Sequence, residues 1–171
     1  MFGRWLRASS AAELPQGAAS LYAVIRQHLP EADEETVRVV TAIAGLIGAV
    51  AYADRDYTSN EEALLKRELE RIHGMTPAGV EAICSILRLH IVEVATVQVP
   101  RYARELRALG DLELRLEVLQ VLVDVAASDG QISHLETNVL RQLTTALGLT
   151  QHDYNAAQAR HRDKLSALKP R

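Results

Sequence analysis

Cysteine, aromatic residues and long apolar runs are all scarce in this chain of 171 residues. The single cysteine, Cys84, cannot form an internal disulfide, which excludes a disulfide-stapled domain and favours a reduced setting. The most apolar run, residues 39–53, is shorter than the roughly 20 residues that a membrane-spanning helix needs. It therefore predicts a buried helix, and Cys84 between apolar neighbours predicts a small core residue.

The composition that remains favours an all-α protein. Apolar residues make up 48% of the chain, aromatic residues only 4%, and there are few glycines and prolines. The net charge of −3, with both signs interspersed, predicts no general attraction to nucleic acid. We expect an N-terminal tail and linker over residues 1–19 and one compact helical domain over residues 20–168.

One short acidic segment occurs twice in the chain. The first copy has Asp54, Tyr57, Thr58 and Glu61, and the second has Asp129, Ile132, Ser133 and Glu136 at the same spacing. Both follow an apolar segment and precede a charged one. A repeated segment indicates one supersecondary unit used twice, and the unit here is helix, acidic turn, helix.

Local signals around both turns agree with this interpretation. Thr58-x-x-Glu61 and Ser133-x-x-Glu136 are capping boxes, in which each hydroxyl accepts from an amide of the first helical turn and each glutamate reaches back. Gly74 and Gly148 stand where a helix ends with a left-handed residue. We therefore expect Thr58, Ser133, Gly74 and Gly148 to be structural caps.

Apolar residues at helical spacing predict about eight helices. We expect them at about residues 21–29, 34–54, 59–73, 77–96, 100–109, 111–128, 134–147 and 151–167. The inward faces should include Ile47, Leu112, Leu116, Leu122 and Leu135. The β-branched run at residues 91–99 is expected to be helical or irregular, because the sequence offers no second strand to pair with it.

The two acidic turns and their flanks resemble the TerB-like (tellurite-resistance protein B) family. Residues 112–130 are similar to the helix that precedes the second acidic turn in stand-alone members, and residues 154–162 are similar to their C-terminal helix. The similarity covers roughly residues 20–168. It implies an all-α fold, an accessory role beside partners in stress-response or membrane-associated systems, and a divalent metal held by acidic residues.

The candidate site consists of the carboxylates of the two turns, which are Asp54, Asp56, Glu61, Glu62, Asp129 and Glu136. Carboxylates are hard oxygen ligands that suit Mg²⁺, Ca²⁺ or Mn²⁺. The alternative is purely structural, because Asp-Gly is common in turns and both capping glutamates already have a role. Arg55 stands where the second turn has Gly130, so we expect the first turn to bend differently, with the Arg55 cation near Asp54 or Asp56.

Nothing in the sequence predicts catalysis. Metal-binding histidine or cysteine pairs, a phosphate-binding glycine loop and a nucleophile beside its base are all missing at motif spacing. We therefore expect a non-enzymatic, cytoplasmic interaction domain that binds a divalent cation through its acidic turns. The alternative is a docking module without metal. The protein partner, a possible membrane association of that partner, and homodimer formation stay open at this point.

Overall fold

A computed structural model describes residues 16–164, with side chains through residue 162. Its eight α-helices are α1 (Gln16–His28), α2 (Glu34–Ala51), α3 (Ser59–Glu70), α4 (Pro77–Glu93), α5 (Val99–Leu109), α6 (Leu112–Ala126), α7 (His134–Ala146) and α8 (Gln151–Gln158). A π-helical segment, Val94–Gln98, joins α4 to α5, and a 3₁₀ segment, Ala159–Lys164, follows α8. The described residues contain no β-strand, which confirms the all-α prediction and the expected number of helices.

Helix α2 lies at the centre of the fold. It packs against α1, α3, α4, α5, α6 and α7, and Ile47 and its apolar neighbours are completely buried. The ring of Tyr102 in α5 lies directly on Gly45, where a Cβ atom would be only 2.3 Å from the ring. The second layer is formed by α6, which contacts α3, α7 and α8 as well as α2.

Side-chain caps set the beginnings of most helices, as the sequence predicts. Asp33 accepts from the Thr36 amide at 2.7 Å at the start of α2. Thr76 and Thr150 cap α4 and α8 in the same way. At the helix ends, Gly74 and Gly148 have φ angles of 85° and 71°, so both are the left-handed residues that the sequence predicted.

Several predicted helix boundaries are wrong. Helix α1 includes residues 16–19, which we assigned to the linker, whereas residues 1–15 lie outside the described part of the chain. The β-branched run is helical, but its wider π turn separates α4 from α5. The last helix changes to 3₁₀ geometry at Ala159, and within this segment the backbone of His161 leaves the helical region and its imidazole contacts Asp124 at 2.7 Å.

The predicted inward faces are correct in the centre of the fold and wrong at two helix beginnings. Leu122, Ile47 and Cys84 are fully buried. Leu112 and Leu116 are 55% and 37% exposed, because the first half of α6 turns Leu114 and Val118 toward the core instead. Leu135, in the first turn of α7, is also exposed.

No helix in the described part of the chain is long and apolar enough to span a membrane.

The burial of α6 predicts a contrast between two leucines of the same helix. Leu122→Ala should lower the free energy of unfolding by about 2–5 kcal/mol, since it removes a fully buried side chain and leaves a cavity. Leu112→Ala, at an exposed position, should change it by less than about 0.5 kcal/mol. Urea unfolding of both variants measures the contrast, and equal effects would show that the buried face of α6 is assigned incorrectly.

Candidate functional site

The first acidic turn begins where α2 ends. The amide of Arg55 donates to the carbonyl of Tyr52 at 2.9 Å, and an Asp54 carboxylate oxygen accepts from the Asp56 amide at 3.0 Å. Arg55 itself has a φ angle of 68°, in the left-handed region that favours glycine. The chain thus reverses within a few residues and delivers Thr58 to the beginning of α3.

The second acidic turn has the same local geometry. The amide of Gly130 donates to Ala127 at 3.1 Å, Asp129 accepts from the Gln131 amide at 3.0 Å, and Gly130 has a φ angle of 95°. Our expectation that Arg55 makes the first turn bend differently is therefore wrong. A left-handed L-residue costs about 1–2 kcal/mol, and Arg55 adopts this conformation in a turn closed by the same hydrogen bonds as the Gly130 turn. The pseudo-twofold relation between the two hairpins stays a prediction.

Each turn leads into a complete capping box. Glu61 accepts from the Thr58 amide at 2.8 Å and from its hydroxyl at 2.9 Å, and the Glu61 amide donates to that hydroxyl oxygen at 3.3 Å. Glu136 accepts from the Ser133 amide at 2.7 Å, and its own amide donates to the Ser133 hydroxyl oxygen at 3.1 Å. Both predicted boxes are confirmed.

Both capping glutamates are buried, which a capping box does not require. Glu61 is 2% and Glu136 is 1% exposed. Burial raises the pKa of Glu61 from 4.5 to about 7, against the lowering effect of the bonds from Thr58. Burial also raises the pKa of Glu136, against the bonds from Ser133. A carboxylate without water or a cation favours its protonated form.

The two acidic turns act on each other electrostatically. The negative charges of Glu136 and Asp54 contribute to the raised pKa of Glu61, and those of Asp129 and Asp54 contribute to the raised pKa of Glu136. None of these four carboxylates forms an ion pair with any residue that the structure describes. We call Asp54, Glu61, Asp129 and Glu136 the acidic centre.

The other two predicted site residues lie apart from this centre. Glu62 turns toward α4 and forms ion pairs with Lys66 and Arg88, each at 3.3 Å. The Asp56 side chain is exposed. Arg55, which we expected near Asp54 or Asp56, forms no ion pair with a described residue.

The acidic centre has the donor chemistry of a hard cation but not a finished cage. All four side chains offer carboxylate oxygens. However, no three histidine, cysteine or acidic residues of the described chain lie close enough together to hold a metal ion. Both aspartates accept from an amide two residues on, which offsets the negative charge of an aspartate beside a helix C-terminus.

Sequence reasoning missed Tyr57, which lies beside the first turn. Its ring packs on the core, and its buried hydroxyl has no hydrogen-bond partner among the described residues. Burial, followed by the charges of Cys84 and Glu62, raises the pKa of this phenol well above its usual value. The match between Tyr57 and the buried Ile132 was the available signal, because it placed both side chains at the same inward position of the repeat.

A family model described as tellurite resistance protein TerB matches residues 40–159, which include the whole acidic centre. No curated protein and no solved structure matches the chain.

The raised pKa of Glu61 predicts how stability depends on pH. The folded state holds the Glu61 proton more tightly than the unfolded chain does, so the contribution of Glu61 to the free energy of unfolding falls as pH rises from 4.5 to about 7. Glu61→Gln keeps a capping side chain and removes this titration, so its unfolding free energy should fall less over the same range. Urea unfolding at several pH values measures both slopes.

The matched control is Glu31→Gln, at an exposed position outside the acidic centre, which should keep the wild-type slope. A wild-type slope in Glu61→Gln would contradict the assignment.

Proposed function

The chain belongs to the tellurite resistance protein TerB family, and from this premise we propose that it acts by binding rather than by catalysis. The TerB domain is generally not an enzymatic fold. The proposal is a cytoplasmic accessory domain of a stress-response system that takes up a divalent cation at the acidic centre. The single buried cysteine, Cys84, supports a reducing compartment.

The observation that carries the proposal is the uncompensated charge of the acidic centre. Glu61 and Glu136 are buried, and they gain negative neighbours instead of positive ones. Burying a charge without a partner is costly, so a proton or a cation bound there stabilises the fold. The neighbouring Glu62 differs from them, because Lys66 and Arg88 already neutralise its negative charge.

The chemistry of the donors selects the class of cation. Carboxylate oxygens favour Mg²⁺, Ca²⁺ or Mn²⁺ over Zn²⁺. Because the described arrangement gathers no three ligands, we assign no coordination geometry. Asp54 and Asp129 are the residues through which a cation in solution would reach the two buried glutamates, since Asp129 is exposed and Asp54 is only half-buried.

A second candidate function is a docking module in which the acidic residues serve only as caps. Two observations favour it: both capping boxes are complete, and both aspartates already bond the amides of their own turns. In this case the turns hold α3 and α7 in place, and we propose that another surface recognises a protein partner of a stress-response or membrane-associated system.

Cation titration separates the two functions. If the acidic centre binds a cation, Ca²⁺, Mg²⁺ or Mn²⁺ should raise the temperature of thermal unfolding. The free energy of unfolding should rise by about 2.7 kcal/mol at a cation concentration of 100 times Kd. Asp54→Asn and Asp129→Asn should weaken the shift, because an amide oxygen can keep the turn but has no charge. Calorimetric titration of the same variants measures binding directly.

Glu31→Gln is the control and should respond as the wild type does. If no cation shifts the wild-type transition, cation uptake is rejected and the docking module remains. An unchanged response in both Asn variants would show that the cation binds at another site.

A further inference from the structure

A second polar site lies between α3, α6 and the 3₁₀ segment, and neither buried glutamate lines it. It is a cleft of about 640 Å³ whose polar lining residues are Asn60, Arg67, Asp124, Ser128, Arg160 and His161. We call it the basic cleft. Its volume lies within the range of small-molecule sites, about 300–1,000 Å³.

The charge of the basic cleft is positive although the whole chain has a net charge of −3. Arg160 is exposed and forms no ion pair with a described residue. Arg67 has only a distant contact to Glu68, at 3.7 Å, and Glu68 bonds Arg71 more closely, at 2.8 Å. Both guanidinium groups are therefore available to an anion in the cleft.

The one carboxylate that lines the cleft is already engaged. Asp124 accepts from the Gln120 amide at 2.9 Å and contacts the His161 imidazole at 2.7 Å. The break in helical geometry at His161 accompanies this contact. Asp124 thus fixes the imidazole at the wall of the cleft through Oδ1, and its single negative charge is outnumbered by the two guanidinium groups that line the cleft.

The hydroxyl of Ser128 adds an independent sign of a ligand. It is buried at the cleft wall and has no hydrogen-bond partner among the described residues. Buried polar atoms are nearly always hydrogen-bonded, and an exception calls for an explanation. A bound oxygen atom that accepts from this hydroxyl would satisfy it.

We propose that the basic cleft binds a small molecule that carries a phosphate group. Guanidinium groups recognise phosphate through paired hydrogen bonds, and Arg67 and Arg160 approach the cleft from two elements far apart in sequence. The Asn60 amide and the Ser128 hydroxyl supply uncharged donors. The cleft is larger than one phosphate ion needs, so a phosphate monoester fits it better than the free ion. This site goes beyond the acidic centre and does not depend on it.

Calorimetric titration with inorganic phosphate and with a phosphate monoester, phosphoserine, tests the proposal. The buffer contains a chelator, so that cations at the acidic centre do not contribute. Both probes should bind, with the monoester tighter. Arg67→Gln and Arg160→Gln should each weaken binding about tenfold, the loss expected for one charge-assisted contact.

Two further variants distinguish a specific binding site from a general attraction of the anion to positive charge. Arg104→Gln, at an exposed position of α5 outside the cleft, should bind as the wild type does. Ser128→Ala should weaken binding without lowering the unfolding temperature, since its hydroxyl has no partner to lose. Failure of the wild type to bind either probe, or equal losses in Arg104→Gln and the two cleft variants, would overturn the proposal.

Discussion

The burial of α2 on almost every side is the constraint on which the rest of this fold depends. A helix that is apolar around its whole circumference must be covered all round, and six other helices pack against it. Close approach is possible because Gly45 leaves room for the Tyr102 ring. The end of α2 fixes the first acidic turn, and α6, packed on α2, brings the second turn to the same region.

The acidic centre arises where a local rule and a tertiary rule conflict. Locally, a glutamate at the third position of α3 or α7 is favourable, because it completes a capping box. In the folded chain the same positions lie inside the protein, where a carboxylate loses water and gains negative neighbours. Places where the levels of structure disagree are often functional, and this conflict is the physical basis for proposing an ion-responsive site.

Most of the local structure could be predicted from the sequence, because its signals lie within a few residues of each other. The capping residues Thr58 and Ser133 and the left-handed Gly74 and Gly148 are examples. The buried face of each helix was harder to predict, since α6 is apolar on several sides and only packing decides that Leu112 stays exposed. The left-handed conformation of Arg55 was missed, because glycine is the residue that adopts it at least cost.

The relation between the two turns and the existence of the basic cleft depend on long-range packing. Asp54 and Glu136 affect each other only after α2 and α6 have come together. Arg67 and Arg160 share a cleft because the chain after α8 returns to α3 and α6. No periodicity within one segment contains this information. Sequence reasoning therefore found the carboxylates of the acidic centre, but it found neither their burial nor the arginines of the basic cleft.

The proposed ion-responsive site depends on repulsion between Glu61 and Glu136 inside the folded protein. A double-mutant cycle of Glu61→Gln and Glu136→Gln, measured by urea unfolding at pH 8 and again at pH 5, detects this repulsion. At pH 8 each single variant should relieve the same repulsion, so their summed gain in unfolding free energy should exceed that of the double variant by more than about 0.5 kcal/mol. At pH 5 this excess should shrink, because Glu61 is then protonated in the folded state. Additive effects at both pH values would show that the two glutamates do not repel each other.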